Sequence, residues 1–257
     1  MIPPFHDVAL DVSRPVARLE IARPDKLNAL RDETAGEILA ALRVAEARAE
    51  VRSLVITGRG RAFGAGYDLS VPPPTMPPEL GDVLERHFNP LIAAMRSSRL
   101  PIVAAVNGPC AGASVGLALA SDIVIAAEDA YFYEPFVGLA LVPDAGNTVF
   151  LTRLLGRGRA AAMMLLGERI SAAAARDWGL VWRTCAPADL EATVAGIAER
   201  LAVLPPAAIA ATKRLIGEAA EADLADRLAA ERDAQAIAGR GPEVLDRIER
   251  FFRARRG

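Results

Sequence analysis

Residues 112–116 read Gly-Ala-Ser-Val-Gly, a G-x-S-x-G pattern in which Ser114 is placed to act as a nucleophile at a sharp strand-to-helix turn. The apolar run over 102–106 and the stretch Leu-Ala-Leu-Ala over 117–120 supply the strand and the helix. A serine nucleophile needs a base, and the hydrolase order puts a histidine after the serine. Both histidines, His6 and His87, precede Ser114, so the serine hydrolase is a remote alternative. A lysine base would have to be Lys213, which no motif supports. Cys110 and Cys185 lack Cys-x-x-Cys spacing, so neither zinc nor a disulfide framework is indicated. The small residues Gly108, Ala111, Gly112 and Ala113 have another use: they let the chain turn tightly and leave N–H groups at a helix start without partners. Such groups hold an anion or a developing oxyanion, while small residues equally serve close helix-to-strand packing. A second stretch of small residues, Arg61-Ala62-Phe63-Gly64-Ala65-Gly66-Tyr67-Asp68-Leu69, favours the first use. Two such loops can aim two N–H groups at one oxygen.

Periodicity gives the elements that must position these loops. Alternation over 8–12 and 16–21 predicts a hairpin, 24–28 a turn, 34–50 a helix with Ile38, Leu39, Leu42 and Ala45 on one face, and 51–57 a strand. Five prolines within 71–78 exclude helix and central strand there and predict a stiff loop. A helix is expected over 79–97, then strands over 102–106 and 122–127 flanking a helix that starts near Ala111. From Thr148 the pattern is helical to the C-terminus. Repeated strand-strand-helix units fit an α/β core wound as a superhelix, and the missing G-x-G-x-x-G after the first strand removes the usual dinucleotide signature. The 257 residues are 52% hydrophobic and 24% charged, with a formal net charge of -2, so nothing in the composition points to a polyanion-binding surface. The basic residues are 28 Arg and two Lys, a bias that carries no functional meaning. No basic-then-apolar leader and no uncharged run of about 18 apolar residues occurs, so a cytoplasmic protein without nucleic-acid or membrane partners is expected.

Several segments then fall into a known order: PDKLNAL at 24–30, RAFGAGYDL at 61–69, PIVAAVNGPCAGASVGLALASDIVIA at 101–126, VGLALVPDAGNT at 137–148, LTRLLGRGRA at 151–160 and RISAAAARDWGLV at 169–181. In this order and spacing the chain resembles the enoyl-CoA hydratase/isomerase (crotonase) superfamily over nearly its whole length. The resemblance implies a crotonase-like spiral of ββα repeats over 1–195 and a helical trimerisation region over 196–257, assembled as a homotrimer or a dimer of trimers. It implies an acyl-CoA thioester substrate, with coenzyme A as part of that substrate and no separate cofactor. The oxyanion donors would be the backbone N–H groups of Tyr67 and Ala113. Asn28, Ala29 and Leu30, with Arg61 and Ala65, would line the coenzyme A channel, Arg61 near the phosphates. Phe252 and Arg253 would reach the site from a neighbouring subunit. Gly66, Asp68, Leu69, Gly112, Gly116 and Phe136 complete the implied substrate-binding set, Asp68 being read as structural like Asp122.

The two glutamates of the family's hydratases align with Gly116 and Phe136, so the usual machinery for adding water is absent. An acid stands instead at Asp144, where the resemblance places the carboxylate of isomerases that act on double bonds or on 1,2-epoxyphenylacetyl-CoA, and of some dehalogenases. Asp144 is therefore expected to move one proton between two carbons, although Pro-Asp-Ala-Gly also makes a good turn and Asp144 a good cap for the next helix. Glu134 is the reserve candidate, with a neighbouring salt bridge as its plain alternative. Phe136 dries the acyl end and suits an apolar or aromatic acyl group. An enoyl-CoA hydratase with atypical acid and base groups, or a non-catalytic acyl-CoA-binding protein, remain as alternatives.

Overall fold

The computed structural model describes residues 4–12, 15–70, 79–219, 224–240, 244 and 253. The proline segment 71–78 and Phe252 lie outside these residues. The hairpin is β1 (Val8–Asp11) antiparallel to β2 (Val16–Ile21). A 3-10 turn over Pro24–Lys26 leads to α1 (Asp32–Glu46), which buries Ile38, Leu42 and Ala45. Next comes β3 (Ser53–Gly58), buried along its whole length. The helix expected over 79–97 is α2 (Leu80–Val83) joined to α3 (Asn89–Ser97) through a wider π turn over Leu84–Phe88. Beyond it lie β4 (Ile102–Val106), β5 (Cys110–Ala111), α4 (Ala113–Leu119), β6 (Ile123–Ala127) and β7 (Tyr131–Tyr133).

The helical part opens with α5 (Asn147–Leu166), which is broken at Gly156, where φ 73 and ψ 162 are not helical. The remaining elements are β8 (Ile170–Ser171), α6 (Ala172–Asp177), β9 (Arg183–Cys185), α7 (Leu190–Ala202), α8 (Pro206–Glu218) and α9 (Leu224–Ala238).

Six strands form one sheet in the order β1-β2-β3-β4-β6-β9, parallel from β2 to β9. Parallel strands covered on both faces read as near-continuous apolar runs, which explains IVAAV and the centre of SLVITG, whose Thr57 hydroxyl is satisfied by the Ala105 carbonyl at 2.8 Å. One cover is α7, whose Leu190, Val194, Ala198 and Ala202 form a buried stripe against β3 and β4, with the Ser53 hydroxyl donating to the Ala198 carbonyl at 3.0 Å. Residue 195 lies inside this helix. The small sheet β5-β7-β8 sits beside the large one. Isolated parallel bridges, Leu30 with Tyr67 and Gly64 with Cys110, tie the loop after β3 to both neighbours. From Pro206 onward α8 leaves the sheet; its one buried side chain is Lys213, which pairs with Asp122 at 2.7 Å and donates to the Leu100 carbonyl at 2.6 Å.

Candidate active site

Two backbone segments meet beside the small sheet. In the first, the Leu30 N–H donates to Gly66 O at 2.7 Å and the Asp68 N–H to Leu30 O at 2.9 Å, which fixes the peptide between them. In the second, the Gly112 N–H donates to Tyr133 O at 2.9 Å, just before α4 begins. Gly66 (φ 88) and Gly112 (φ 53) adopt left-handed backbone, and a Cβ placed on Gly112 would lie 3.6 Å from the Gly66 Cα. The residues that follow them, Tyr67 and Ala113, have N–H groups with no acceptor among the described residues.

Ser114 is fully buried, and its hydroxyl accepts the Gly66 N–H at 3.2 Å. It staples the two segments together and is closed to any substrate, which speaks against the remote serine-hydrolase alternative. Lys213, the alternative base, is occupied by Asp122 and the Leu100 carbonyl.

The third component is the turn before α5. Ala145 (φ 49) and Gly146 (φ 82) both adopt left-handed backbone. The Asn147 N–H returns to Asp144 O at 2.9 Å, while the Asn147 side-chain amide donates to Gly112 O at 3.1 Å. Asp144 does not cap α5: the N-cap is Gly146, with no side-chain capping bond. Its Oδ1 is buried without a partner among the described residues, and burial pushes the carboxyl up to about 6, against the bond from its own backbone N–H.

Gly116 is not a vacancy. A Cβ there would lie 2.2 Å from the Ala145 carbonyl oxygen and 2.9 Å from the Ala145 Cβ, so the Asp144 turn fills the place where a longer side chain would go. Phe136 is 7% exposed, with its ring 3.7 Å from the position of a Cβ on Gly112. Glu134, just past β7, is fully buried with both carboxylate oxygens unpartnered, and forms no salt bridge among the described residues. Burial and then the charge of Asp144 push it up to about 9.

The implied coenzyme A residues divide. The Asn28 side chain is fully buried and structural: its Oδ1 accepts the Arg23 N–H at 2.9 Å, and its amide donates to Arg59 O at 2.9 Å and Ala62 O at 2.7 Å. Leu30 is likewise buried, and Ala29 nearly so. A ligand would meet these residues only along their backbone. Arg61, Ala65 and Leu69 are exposed at the rim, and Arg253 is exposed near the C-terminus. Asp68 is structural: the Ser70 hydroxyl, then Arg23 paired at 2.8 Å and the Ser70 N–H, hold its carboxyl down to about 2 against burial. Arg23 and Asn147 had no sequence signal as parts of the site; each acts through a partner distant in the chain.

The enoyl-CoA hydratase/isomerase family model matches residues 11–244, and the chain belongs to this family, with its crotonase fold. It is thus an enzyme of a family that acts on acyl-CoA thioesters. Among its relatives, the 1,2-epoxyphenylacetyl-CoA isomerase of Escherichia coli K12 is 38% identical over 247 residues, covering 95% of this chain and 94% of that protein. A Rhodobacter capsulatus protein named "Probable enoyl-CoA hydratase" is 38% identical over 251 residues, 98% of this chain and 96% of its own. The solved enoyl-CoA hydratase of Bacillus anthracis superposes with a TM-score of 0.91 at 28% identity, covering 97% of each chain.

Proposed function

We propose that this enzyme isomerises an acyl-CoA, shifting a double bond or rearranging a ring through a thioester enolate. In this reading the thioester oxygen accepts from the N–H groups of Tyr67 and Ala113, neither of which has another acceptor among the described residues. Loss of one such donor typically costs about 3–4 kcal/mol of barrier, so a pair accounts for enolate formation from a weakly acidic C–H. Asp144 takes the proton; the C–H electron pair passes into the enolate; the same carboxyl returns the proton to another carbon of the acyl group. A carboxyl raised to about 6 is ionised at neutral pH and a stronger base than an ordinary aspartate.

The observation that carries the proposal is the Ala145 carbonyl seated against Gly116. This contact sets the turn that carries Asp144 against α4, which supports Asp144 as the base, and it leaves no space for a water-activating glutamate at 116. Phe136, almost fully buried beside Gly112, adds a dry wall suited to an apolar or aromatic acyl group. The name of the Escherichia coli relative agrees with this chemistry. Assembly as a trimer or a dimer of trimers through the helices after α7, with coenzyme A entering as part of the substrate, belongs to the same proposal.

The test is Asp144→Asn, assayed in heavy water with a 3-enoyl-CoA. Loss of isomerisation and of deuterium entry at the α and γ carbons is expected, and full activity would overturn the assignment. A hydratase reading draws on the second buried carboxyl, Glu134; conversion of a 2-enoyl-CoA to its 3-hydroxy product by the wild type would favour it.

A further inference from the structure

Of the five buried side-chain oxygens without partners among the described residues, four belong to Glu134, Asp144 and Asn147. Both oxygens of Glu134 and one of Asp144 are acceptors when the acids are ionised, and no side-chain cation pairs with either acid among the described residues. Glu134 follows Tyr133, whose carbonyl accepts the Gly112 N–H, and Asp144 accepts through its carbonyl from Asn147, whose side-chain amide donates to Gly112 O, so both acids lie beside Gly112. Two carboxylates buried there with no cation among the described residues do not both stay ionised, because each costs several kcal/mol to desolvate and each repels the other. One proton removes one of the two charges and supplies the donor that the cluster lacks.

We propose that Glu134 is a positioning residue, the proton-bearing member of a two-carboxyl unit whose single negative charge rests on Asp144. The inference rests on Asp144 acting as the base. Glu134 is the deeper acid: it is fully buried with both carboxylate oxygens unpartnered among the described residues, whereas Asp144 has one such oxygen and is partly exposed. The directions agree: Glu134 is raised to about 9 and Asp144 to about 6. Among the described residues, a further titratable group facing Glu134 is the Cys110 thiol on β5, itself pushed well up by burial and therefore neutral. Arg169, preceding β8, stacks over the Tyr131 and Tyr133 rings at 4.7 and 5.9 Å instead of pairing with Glu134.

The balance over a turnover is simple. The resting unit carries one proton and one charge. It becomes neutral with two protons when Asp144 accepts the substrate proton, and returns to its starting state when Asp144 gives that proton back. The Glu134 proton is not consumed; it limits the charge near the developing enolate.

The test compares full-length wild type, Glu134→Gln and Asp144→Asn by kcat/KM against pH and by infrared spectroscopy of the carboxyl groups. The wild type is expected to gain activity near pH 6 and lose it near pH 9, as first Asp144 and then Glu134 ionises. Glu134→Gln keeps the acid limb and lacks the alkaline one, whatever its plateau rate. An alkaline limb that persists in Glu134→Gln overturns the proposal. Should that variant fail to fold, the wild type still decides: a protonated-carboxyl band at pH 7 that disappears near pH 9 is expected, and its absence at pH 7 overturns the proposal. Full activity in Asp144→Asn would instead defeat the base assignment itself, and the infrared band would still report separately on Glu134.

Discussion

Gly116→Ala probes the contact between α4 and the Asp144 turn with one methyl group. Its Cβ would stand 2.2 Å from the Ala145 oxygen, where a tolerable C···O contact is about 3.3 Å, so the turn must retreat by about 1 Å. Overpacking of this kind costs about 1–3 kcal/mol, and each kcal/mol lowers the melting temperature by roughly 2–4 °C in a chain of this size. Asp144 moves with Ala145. A displacement of about 1 Å at a reacting group costs about 100-fold in rate, equivalent to about 2.7 kcal/mol. The assay is isomerisation of a 3-enoyl-CoA beside a thermal melt, with Gly36→Ala as the control. Gly36 is exposed within α1 with nothing within 4 Å of its added Cβ, so the control should gain about 0.5–1 kcal/mol and keep full activity. Wild-type activity in a destabilised Gly116→Ala would refute the coupling of the turn to the chemistry. Wild-type stability would refute the contact itself.

Ser114→Ala leaves the buried Gly66 N–H without an acceptor and should cost about 1–3 kcal/mol in denaturant melts, while a fluorophosphonate leaves the wild type unlabelled. Arg23→Met removes the cation beside the buried Asp68 carboxylate, which keeps its Ser70 bonds, and should cost about 1–3 kcal/mol near neutral pH. Because Asp68 is depressed to about 2 from 3.8, its stabilisation is present above pH 4 and lost as pH falls toward 2, so the gap between wild type and variant should close over that window. Glu134 and Asp144 are raised, so the stability they contribute is full below about pH 4 and lost as pH rises through about 6 for Asp144 and about 9 for Glu134. The wild-type melting temperature should therefore fall between pH 5 and 9, and Glu134→Gln should flatten that fall; an equal fall in both would contradict the assignment.

The large sheet was legible because β4 is apolar throughout, β3 has an apolar centre, and the hairpin alternates. The small sheet was not, since β5, β7 and β8 have two or three residues each, too few to show a period. The glycine-rich loops after β3 and β4 pointed to the site through residue type alone, but their hydrogen bonds link positions some 35 to 48 apart in the chain. Asn28 illustrates the limit. Its place in the family pattern suggests contact with the ligand, yet its side chain is consumed in holding Arg23, Arg59 and Ala62. Gly116 shows the converse: the missing side chain was visible, and what fills its space was not, because Ala145 arrives through tertiary packing.

The Tyr67 and Ala113 N–H groups are held by main-chain bonds from Leu30, Asp68 and Gly112, so no exchange of side chain at 67 or 113 can delete either donor except for proline. Under the proposed chemistry, neither donor is lost by exchanging its own side chain so long as the left-handed Gly66 and Gly112 are kept, whereas the base is a single replaceable carboxyl. Divergence on this scaffold can then proceed by relocating one acid around two fixed donors, and an engineer seeking a new reaction would keep the glycines and search the turn that carries Asp144.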